Sequence, residues 1–498
     1  MAHSQDTERR PGEARPRAPH NMSLPVDFSK LKNRLGVPGR LVGGGVDLPK
    51  RIARPLPRFG ITRAQREAIR TNLWSVPALM VAAIVVVFVA TYEMDLAAAD
   101  HRLTFPSWVN FGGPDSSRQI LIAIAAAVIT VAGVVFSITI LALQLASQQF
   151  GPRMLRNFIR DLGTQISLGA FVATFVYSNL GLIGVTNQFV PHLSITVAVG
   201  LLLADLGVLI YFIDHVATSI QLTSVVWGIA RDFRRTLSNV QADAARMQVQ
   251  PENDREDISL LADHVLQHGA PVPARESGFL QAVGHQNLLT IATSSGAVIR
   301  LIHRPGHFVV TNQPLGYVLP REAVRAVSDA LARAHIVGPN RTLTQDPGFA
   351  IDQLVEVAIR ALSPAVNDTF TALNCVDWLG DCLCRACAAP LPSGIYQDAQ
   401  EAVRLIEPAV THERLLKGAT DKVRQASRGM PAIIIRMLEN LRKVMGVVQT
   451  PAERELVRHH AEMIVRSAEE AVPEPADLAD IRSAHTALLE TTTLFWQG

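Results

Sequence analysis

Residues 119–147 read QILIAIAAAVITVAGVVFSITILALQLAS and contain no charged side chain. A helix needs about 20 apolar residues to cross the hydrocarbon core of a bilayer. An open segment can cross only as a helix, because a helix satisfies its own backbone amides and carbonyls. At 1.5 Å per residue this run spans about 43 Å, whereas the core is about 30 Å thick. The stretch therefore predicts a spanning helix that emerges from the bilayer and continues to Gly151–Pro152, where proline ends it.

Three further stretches have the same apolar character. With the first they predict four spans, at about 73–92, 119–147, 165–185 and 193–213. Arginines precede the first span, lie between the second and third, and follow the fourth. Because basic flanks remain in the cytoplasm, we expect a multi-pass protein of the bacterial cell (inner) membrane with amino and carboxyl termini cytoplasmic.

The residues outside the spans have ordinary soluble composition. The start of the chain is basic and proline-rich, which favours a disordered tail. After the fourth span we expect a helix that continues to about Ala245. Short apolar runs separated by Gly, Pro and Asn then predict strands, and 3.6-residue periodicity predicts helices after them. The fold class is a mainly α integral membrane protein: four transmembrane helices followed by a cytoplasmic α+β region. The expected units are a basic tail (1–60), the four-helix transmembrane domain (61–230), a connecting helix and linker (231–272), a small β-containing domain (273–320) and a helical domain (321–498).

Polar residues form one stripe along the second span. At 100° per residue, Thr130, Ser137, Gln144 and Gln148 share a helical face. Small and polar side chains at such a face pack against another helix or line a path for a solute. Asp205 lies in the middle of the fourth span, where a carboxylate must face protein or a cavity. These five are the candidate path-lining or interhelical polar residues.

A second group of polar residues lies in SPAVNDTF, between two predicted helices. Its members are Ser363, Asn367, Asp368 and Thr371. Asn367 or Asp368 can cap the second helix, and the group together could hold an ion or a phosphate at the helix start. Four cysteines follow, and a cytoplasmic location argues against disulfides. We interpret them as small apolar core residues and expect no metal and no cofactor.

The motifs FSITILALQLASQQFGPRMLRNFIRD, FIDHVATSIQ, PGHFV, QDPGFAIDQLVEVAIRAL and ALSPAVNDTFTALNCVDWL resemble the DUF2254 family of bacterial membrane proteins, whose function is unassigned. The resemblance covers the chain from about residue 60 to its end. Asp214 stands where the family pattern more often has His, and Thr369 where it more often has Pro. These departures weaken any proposal that rests on a histidine pair, and the resemblance implies no reaction and no substrate.

Several functions remain open. No basic face interleaved with aromatics indicates nucleic-acid binding, and no phosphate-binding glycine loop, nucleophile elbow or HExxH motif indicates an enzyme. We expect no catalytic residue, and a cytoplasmic enzyme is the third hypothesis. The leading one is an oligomeric channel or transporter for ions or small solutes with a cytoplasmic regulatory domain, and the alternative is a membrane-anchored sensor or scaffold. The expected partners are the lipid bilayer and further copies of the chain; solute and protein partners are unknown.

Overall fold

The computed structural model describes residues 74–99, 112–150, 161–219, 221–246 and 255–494, and for residues 146–150, 255 and 492–494 it describes the backbone alone. The first four helices are apolar. They are α1 (Ser75–Ala99), α2 (Pro114–Phe150), α3 (Leu162–Gly184) and α4 (His192–Ser219). Each is long and apolar enough to cross a membrane, and α2 is helical up to Phe150, the last described residue before a gap. The predicted end at Gly151–Pro152 lies outside the described residues. The predicted fold class, four membrane-capable helices followed by helices and β sheets, is confirmed.

Helix α3 lies at the centre of this bundle and contacts the other three helices. Glycines bring α1 and α3 close together. A Cβ atom on Gly169 would lie 2.6 Å from Met80 Sδ and 3.1 Å from Pro77 Cα, and one on Gly184 would lie 2.7 Å from the Tyr92 ring. Small residues allow such close approach, which is the main source of attraction between helices in lipid. The largest fully buried apolar side chains of the bundle are Leu121, Val135, Phe171, Tyr177, Ile195 and Phe212.

The rest of the described chain alternates helices and short strands before it becomes wholly helical. Gln221 has extended backbone angles (φ −64°, ψ 128°), so the predicted continuous helix to Ala245 is wrong: α4 and a separate helix carry that segment. The elements in order are α5 (Leu222–Ala245), α6 (Arg255–His268), β1 (Ala270–Pro273), β2 (Gly278–Val283), α7 (His285–Ser295), β3 (Val298–Leu301), β4 (Phe308–Val309), β5 (Pro314–Leu319), a 3-10 turn (Arg321–Ala323), α8 (Val324–Ala334), β6 (His335–Gly338), α9 (Pro347–Ala361), α10 (Thr369–Cys387), β7 (Ile395–Gln397), β8 (Val403–Ile406), α11 (His412–Ala426), α12 (Pro431–Met445), α13 (Pro451–Glu469) and α14 (Pro475–Leu494).

Local sequence explains where these helices begin. Four of them, α9, α12, α13 and α14, begin with proline, whose fixed φ angle suits the first helical position and whose missing N–H is not needed there. Thr450 and Glu453 form a capping box before α13, which satisfies two backbone amides reciprocally. Helices α5 and α9 to α14 then bury their apolar faces in one shared core.

Two β sheets pack beside that helical core. One has the strand order β1-β5-β3-β8-β7 and the other β4-β2-β6. Strand β8 pairs in parallel with β3, with Ile299 opposite Leu405, and all other pairs are antiparallel. The sheets therefore take strands from beyond the 273–320 segment, because β6, β7 and β8 come from the stretch predicted as helical.

Helix α5 fixes how the carboxyl-terminal region lies against the bundle. Thr236 donates to the Leu343 carbonyl at 2.7 Å, just before α9, and Gln241 donates to the Pro390 carbonyl, just after α10. Helices α9 and α10 are 15 and 19 residues long, or about 22 and 28 Å. The connection between them therefore lies level with the start of α5, next to the end of α4. Helix α9 also contacts α2, so this connection faces the membrane bundle.

Candidate functional site

The polar stripe of α2 faces away from its own bundle. The buried side of α2 carries Leu121, Val128 and Val135, which lie on the opposite helical face. Thr130, Ser137 and Gln144 are exposed. The two hydroxyls donate to carbonyls of their own helix, Thr130 to Ala126 at 2.7 Å and Ser137 to Gly133 at 2.8 Å. The side chain of Gln148 lies outside the described part of the structure.

Space is open around this stripe. Nothing lies within 4 Å of a Cβ built on Gly133, and Leu141 between the polar positions is 54% exposed. The stripe therefore does not line the interior of the four-helix unit. Its surroundings are lipid or another protein surface.

The interior polar groups belong to α3 instead. Six of its polar side chains are buried, and they recur along the length of the helix. Ser167 donates to its own backbone, to the Gly163 carbonyl at 2.9 Å, which partly offsets the cost of burying a hydroxyl. The buried set is Thr164, Gln165, Ser167, Thr174, Tyr177 and Ser178.

Asp205 faces this polar side of α3. It is 5% exposed and lies at the midpoint of α4. Thr174 of α3 lies next to its carboxyl group, and the Oδ2 atom of Asp205 has no partner among the described residues. A carboxylate in the middle of a membrane helix costs about 2.5–3.5 kcal/mol on insertion scales. The structure thus places Asp205 inside the bundle, as its sequence position requires.

A hydrogen-bonded chain leads from this region to one end of the bundle. Tyr177 shares a hydrogen bond with Thr91 at 2.8 Å, and Ser194 donates to Thr91 at 3.3 Å and to Asp95 Oδ2 at 2.7 Å. Asp95 also accepts from the backbone amides of Leu193 and Ser194 at 2.7 and 2.9 Å. It therefore caps α4 from α1, where a negative charge complements the helix dipole.

The opposite end of the bundle carries a hydrogen bond between a histidine and a carboxylate. His215 Nε2 lies 2.6 Å from Asp161 Oδ2, and the same carboxylate oxygen accepts from the backbone amide of Thr164 at the start of α3. The Tyr211 ring stacks on His215 at 5.3 Å. Gly163 is required here, because a Cβ atom would lie 2.5 Å from His215 Nε2. The pair therefore ties α3 to α4.

The SPAVNDTF segment is the connection between α9 and α10 at the bundle side of the carboxyl-terminal region. Asp368 accepts from the Thr371 amide at 3.0 Å and from the Thr371 hydroxyl, and these bonds lower the pKa of its carboxyl group. Ser363 donates to the Arg360 carbonyl at 2.7 Å, and Asn367 has a left-handed backbone (φ +49°). Three of the predicted polar residues thus lie on the connection and Thr371 lies in the first turn of α10, with Asp368 as the cap. Phe370 in the first turn of α10 is 85% exposed, so an aromatic ring lies at the surface beside them.

The four cysteines lie on α10. Cys375, Cys382 and Cys387 are buried and Cys384 is half-buried, and burial raises the pKa of the Cys375 and Cys387 thiols to about 12. These thiols are protonated at neutral pH and pack as small apolar groups. The described residues contain no group of three or more His, Cys, Asp or Glu arranged to hold a metal.

Sequence reasoning missed the two ends of the bundle. Asp95 reads as a loop residue if the first span ends near residue 92, whereas α1 continues to Ala99 and buries it. Asp95 lies only about three residues beyond the predicted end of the first span. This proximity was the sequence feature that could have indicated its burial in the helix. The Asp161–His215 pair joins two motifs 54 residues apart, and nothing in their spacing indicates contact.

Comparison with known proteins gives the same family as the sequence motifs. A family model described as predicted membrane protein (DUF2254) matches residues 70–443. Two similar proteins are Uncharacterized protein Mb1321c of Mycobacterium bovis and Uncharacterized protein Rv1290c of Mycobacterium tuberculosis. Each is 30% identical over 391 residues, which cover 75% of this chain and 72% of the relative. No solved structure matches.

Proposed function

This chain belongs to the DUF2254 family of predicted membrane proteins, and from that premise we propose that it carries protons or small cations across a bacterial inner membrane through the interior of its four-helix bundle. The observation that carries the proposal is Asp205, a buried carboxylate at the centre of α4 with one oxygen unpartnered among the described residues. An ionisable residue at such a depth is costly to keep, and in membrane proteins it marks an ion or proton pathway.

The buried polar groups on either side of Asp205 support a path along the bundle. Towards Asp95, the next groups are Thr174 and Tyr177 on α3 and then the bonded chain through Thr91 and Ser194. Ser194 and Asp205 are 11 residues apart on α4, or about 16 Å. Hydroxyl and carboxylate groups can relay a proton or replace part of a cation's hydration shell.

Towards the other end, Ser167 and Gln165 of α3 are buried, and the Asp161–His215 pair closes the bundle. His215 lies ten residues after Asp205, or about 15 Å along α4. An imidazole can both donate and accept a proton through its two ring nitrogens, so His215 can pass protons to and from the adjoining aqueous phase. Ionisable groups thus stand at both ends and at the centre of the bundle.

The charge pattern supports the orientation that we propose, with both termini in the cytoplasm. Arg231, Arg234 and Arg235 lie on α5 beyond the Asp161–His215 end, and basic flanks remain in the cytoplasm. In this orientation Asp95 lies at the outer end, and the carboxyl-terminal region is cytoplasmic.

The outward stripe of α2 supports an oligomer. Thr130, Gly133 and Ser137 are small or weakly polar, and their outer surface meets no helix of the described chain. Small residues at such spacing let two membrane helices approach closely. We propose that this surface joins copies of the chain, so the stripe has an assembly role and the ion path lies inside each copy.

Ion flux into proteoliposomes tests the proposal. Purified wild-type protein and the Asp205→Asn variant are each reconstituted into liposomes. Gradients of H⁺, Na⁺ and K⁺ are then applied to both. The matched control is Asp214→Asn, the same change on the same helix at an exposed position. We expect wild-type flux, at least a tenfold loss in Asp205→Asn and no loss in Asp214→Asn. A Gln144→Leu, Gln148→Leu variant should keep its flux per assembled protein.

Three outcomes contradict the proposal. Equal flux in wild type and folded Asp205→Asn removes the carboxylate from the path. Flux lost in the Gln144→Leu, Gln148→Leu variant while the oligomer persists would place the path between copies. Absence of flux for all three cations in folded wild-type protein would favour the alternative, a membrane-anchored sensor or scaffold without transport.

A further inference from the structure

The connection between α9 and α10 carries a run of exposed apolar side chains. Val366 is 54% exposed and Phe370 is 85% exposed. By contrast, Leu362 before the run is 5% exposed and Ala372 after it is fully buried. The helical core therefore takes up apolar residues on both sides of the connection and leaves those on it at the surface. We call these exposed apolar residues the apolar tip: Pro364, Ala365, Val366 and Phe370.

The backbone of the apolar tip is fixed by its own hydrogen bonds. The Ser363 carbonyl accepts from the amides of Val366 and Asn367 at 3.0 and 2.9 Å, and the Ala361 carbonyl accepts from the Asp368 amide at 2.8 Å. Val366 is thus held at the surface of a bonded turn. Because a surface that is already ordered loses little conformational entropy when it docks, this turn is suited to contact another surface.

The apolar tip lies at the bundle end of the pair formed by α9 and α10. The other end of the pair, at Leu343 and Pro390, is bonded to α5 further along the chain. Phe370 is the second residue of α10. Side chains on a helix lean towards its amino end, and the amino end of α10 is the bundle end. The Phe370 ring therefore leans towards the bundle side of the carboxyl-terminal region.

The depth of the apolar tip follows from α4. Ile213 is exposed on the outside of the bundle, at 57%, and the charged Asp214 follows it, so the hydrocarbon core ends near these two residues. Ser219 ends α4 six residues beyond Ile213, or about 9 Å further. The headgroup layer is about 5–8 Å thick on each side of the core. The start of α5, and the apolar tip level with it, therefore lie where this layer meets water.

A second exposed phenylalanine shows that place, rather than exposure alone, distinguishes the apolar tip. Phe308 of β4 is 53% exposed, and its ring packs against Phe279 at 5.1 Å. Gly306, two residues before it, lies against Asp346 just before α9. Helix α9 has 15 residues and is about 22 Å long. Phe308 therefore lies near the end of α9 that is remote from the bundle, and of the two exposed rings only Phe370 lies at the bundle end.

We propose that the apolar tip inserts into the headgroup layer of the bilayer that the four-helix bundle spans, with Val366 and Phe370 in contact with lipid. Apolar and aromatic side chains that reach this layer are removed from water, which stabilises the contact. The bilayer surface is also the partner whose position relative to the apolar tip follows from the bundle itself. The chemistry that recognises the tip is therefore a lipid surface.

This contact gives the carboxyl-terminal region a further attachment to the membrane. Its other attachments are the link from α4 to α5 and the contact of α9 with α2. Together they fix the height and tilt of the helical core relative to the bundle. The inference goes beyond the transport proposal, because the contact forms whether or not the bundle conducts ions.

Quenching of an added tryptophan by lipid tests the contact. Phe370→Trp and Val366→Trp place an indole on the apolar tip, and Phe308→Trp is the matched control. Each full-length protein, with its fold checked by circular dichroism, is reconstituted into phosphatidylcholine liposomes whose acyl chains carry bromine next to the headgroup. Wild-type protein gives the emission of the five native tryptophans, which is subtracted. We expect brominated lipid to lower the added emission at least twofold in both tip variants and to leave it unchanged in Phe308→Trp.

Three results would overturn the proposal. One is unquenched emission in both folded tip variants, with quenching by aqueous acrylamide, which would place the apolar tip in water. The second is emission protected from brominated lipid and acrylamide alike, which would assign the tip to a contact with another copy of the chain. The third is equal quenching by brominated lipid in Phe308→Trp. None of these readouts depends on ion flux, so the lipid contact and the transport path can fail separately.

Discussion

Helices α2 and α3 are neighbours in the bundle, and both carry polar side chains along their length. The two helices turn these side chains in opposite directions. The polar face of α2 turns outward, with Thr130 and Ser137 bonded only to their own helix. The polar face of α3 turns inward, towards Asp205 and the Thr91–Ser194 chain. In water the polar face of a helix points to solvent. In lipid, polar groups are more stable inside the bundle, where they can form hydrogen bonds. We therefore expect an outward polar stripe to pack against another protein surface.

The largest expected effect comes from the same substitution on the two helices. Gly169→Val in α3 places a branched side chain against the Pro77 backbone, 3.1 Å from the position of a Cβ atom, and should lower the free energy of unfolding by about 3 kcal/mol or more. Gly133→Val in α2 meets open space and should leave the protomer stable. Unfolding of each purified variant in mixed micelles measures both values.

The outward glycine has a separate readout. If α2 joins copies of the chain, Gly133→Val should shift the protein to smaller assemblies in light scattering after size-exclusion chromatography. Loss of folded protomer in Gly133→Val would contradict the outward placement of the stripe. A stable Gly169→Val would contradict the close contact of α1 and α3.

A somewhat smaller effect is expected at the inward chain. Asp95→Ala removes three hydrogen bonds to α4, two of them from backbone amides, and should lower the free energy of unfolding by about 2–3 kcal/mol. Glu93→Gln is the control, since Glu93 lies two residues away and is exposed. Equal stability of the two variants would show that the bonds to α4 contribute nothing, and the inward face would lose its structural role.

A buried histidine of the carboxyl-terminal region offers a further test of the contrast between inward and outward polar groups. His335 in β6 is buried, bonds through Nδ1 to the Leu331 carbonyl at 2.7 Å, and leaves Nε2 without a partner among the described residues. Burial lowers its pKa to about 4 from 6.5. Its neutral form is favoured in the folded state, so stability falls as the pH drops from 6.5 towards 4.

The measurement is the free energy of unfolding at pH 7 and at pH 5. His335→Gln should reduce the difference between these two values by about 2 kcal/mol, from 1.36 kcal/mol per pKa unit. His459→Gln replaces an exposed histidine and should leave the difference unchanged. An unaltered pH dependence in His335→Gln would show that this histidine does not titrate across the transition.

The smallest effect is expected at the exposed connection between α9 and α10. Asp368→Ala removes the cap of α10 and should cost about 1 kcal/mol. Asn367→Gly should be neutral, because glycine accepts the left-handed backbone at that position. Thermal unfolding of the two variants distinguishes them. A loss well above 1 kcal/mol in Asp368→Ala would mean that this carboxylate holds more than a helix end.

Much of the fold could be predicted from the sequence because membrane helices are local features. The run 119–147 and its three counterparts are apolar over their whole length, and this alone indicates four spans. The direction in which α2 turns could not be predicted, since the surfaces facing lipid and protein are about equally apolar. Inward and outward polar stripes then look the same in sequence. The depth of Asp205 was predictable, whereas its neighbour Thr174 was not.

The carboxyl-terminal region shows a different limit. Its helices could be predicted from periodicity, and the capping position of Asp368 from residue type. The sheet could not, because β8 lies beyond two long helices and pairs with β3 across about 100 residues.

The parallel pairing of β3 with β8 has a consequence for biosynthesis. The five-stranded sheet cannot be completed until residues 403–406 have left the ribosome. Synthesis proceeds at about 5–20 residues per second, so the edge of β3 stays unpaired for about 5–20 s after it is made. All four spans have been synthesised by then. The nascent chain therefore already carries its four membrane-capable helices while this strand edge is unpaired. During this interval a chaperone would be needed to prevent pairing between neighbouring chains.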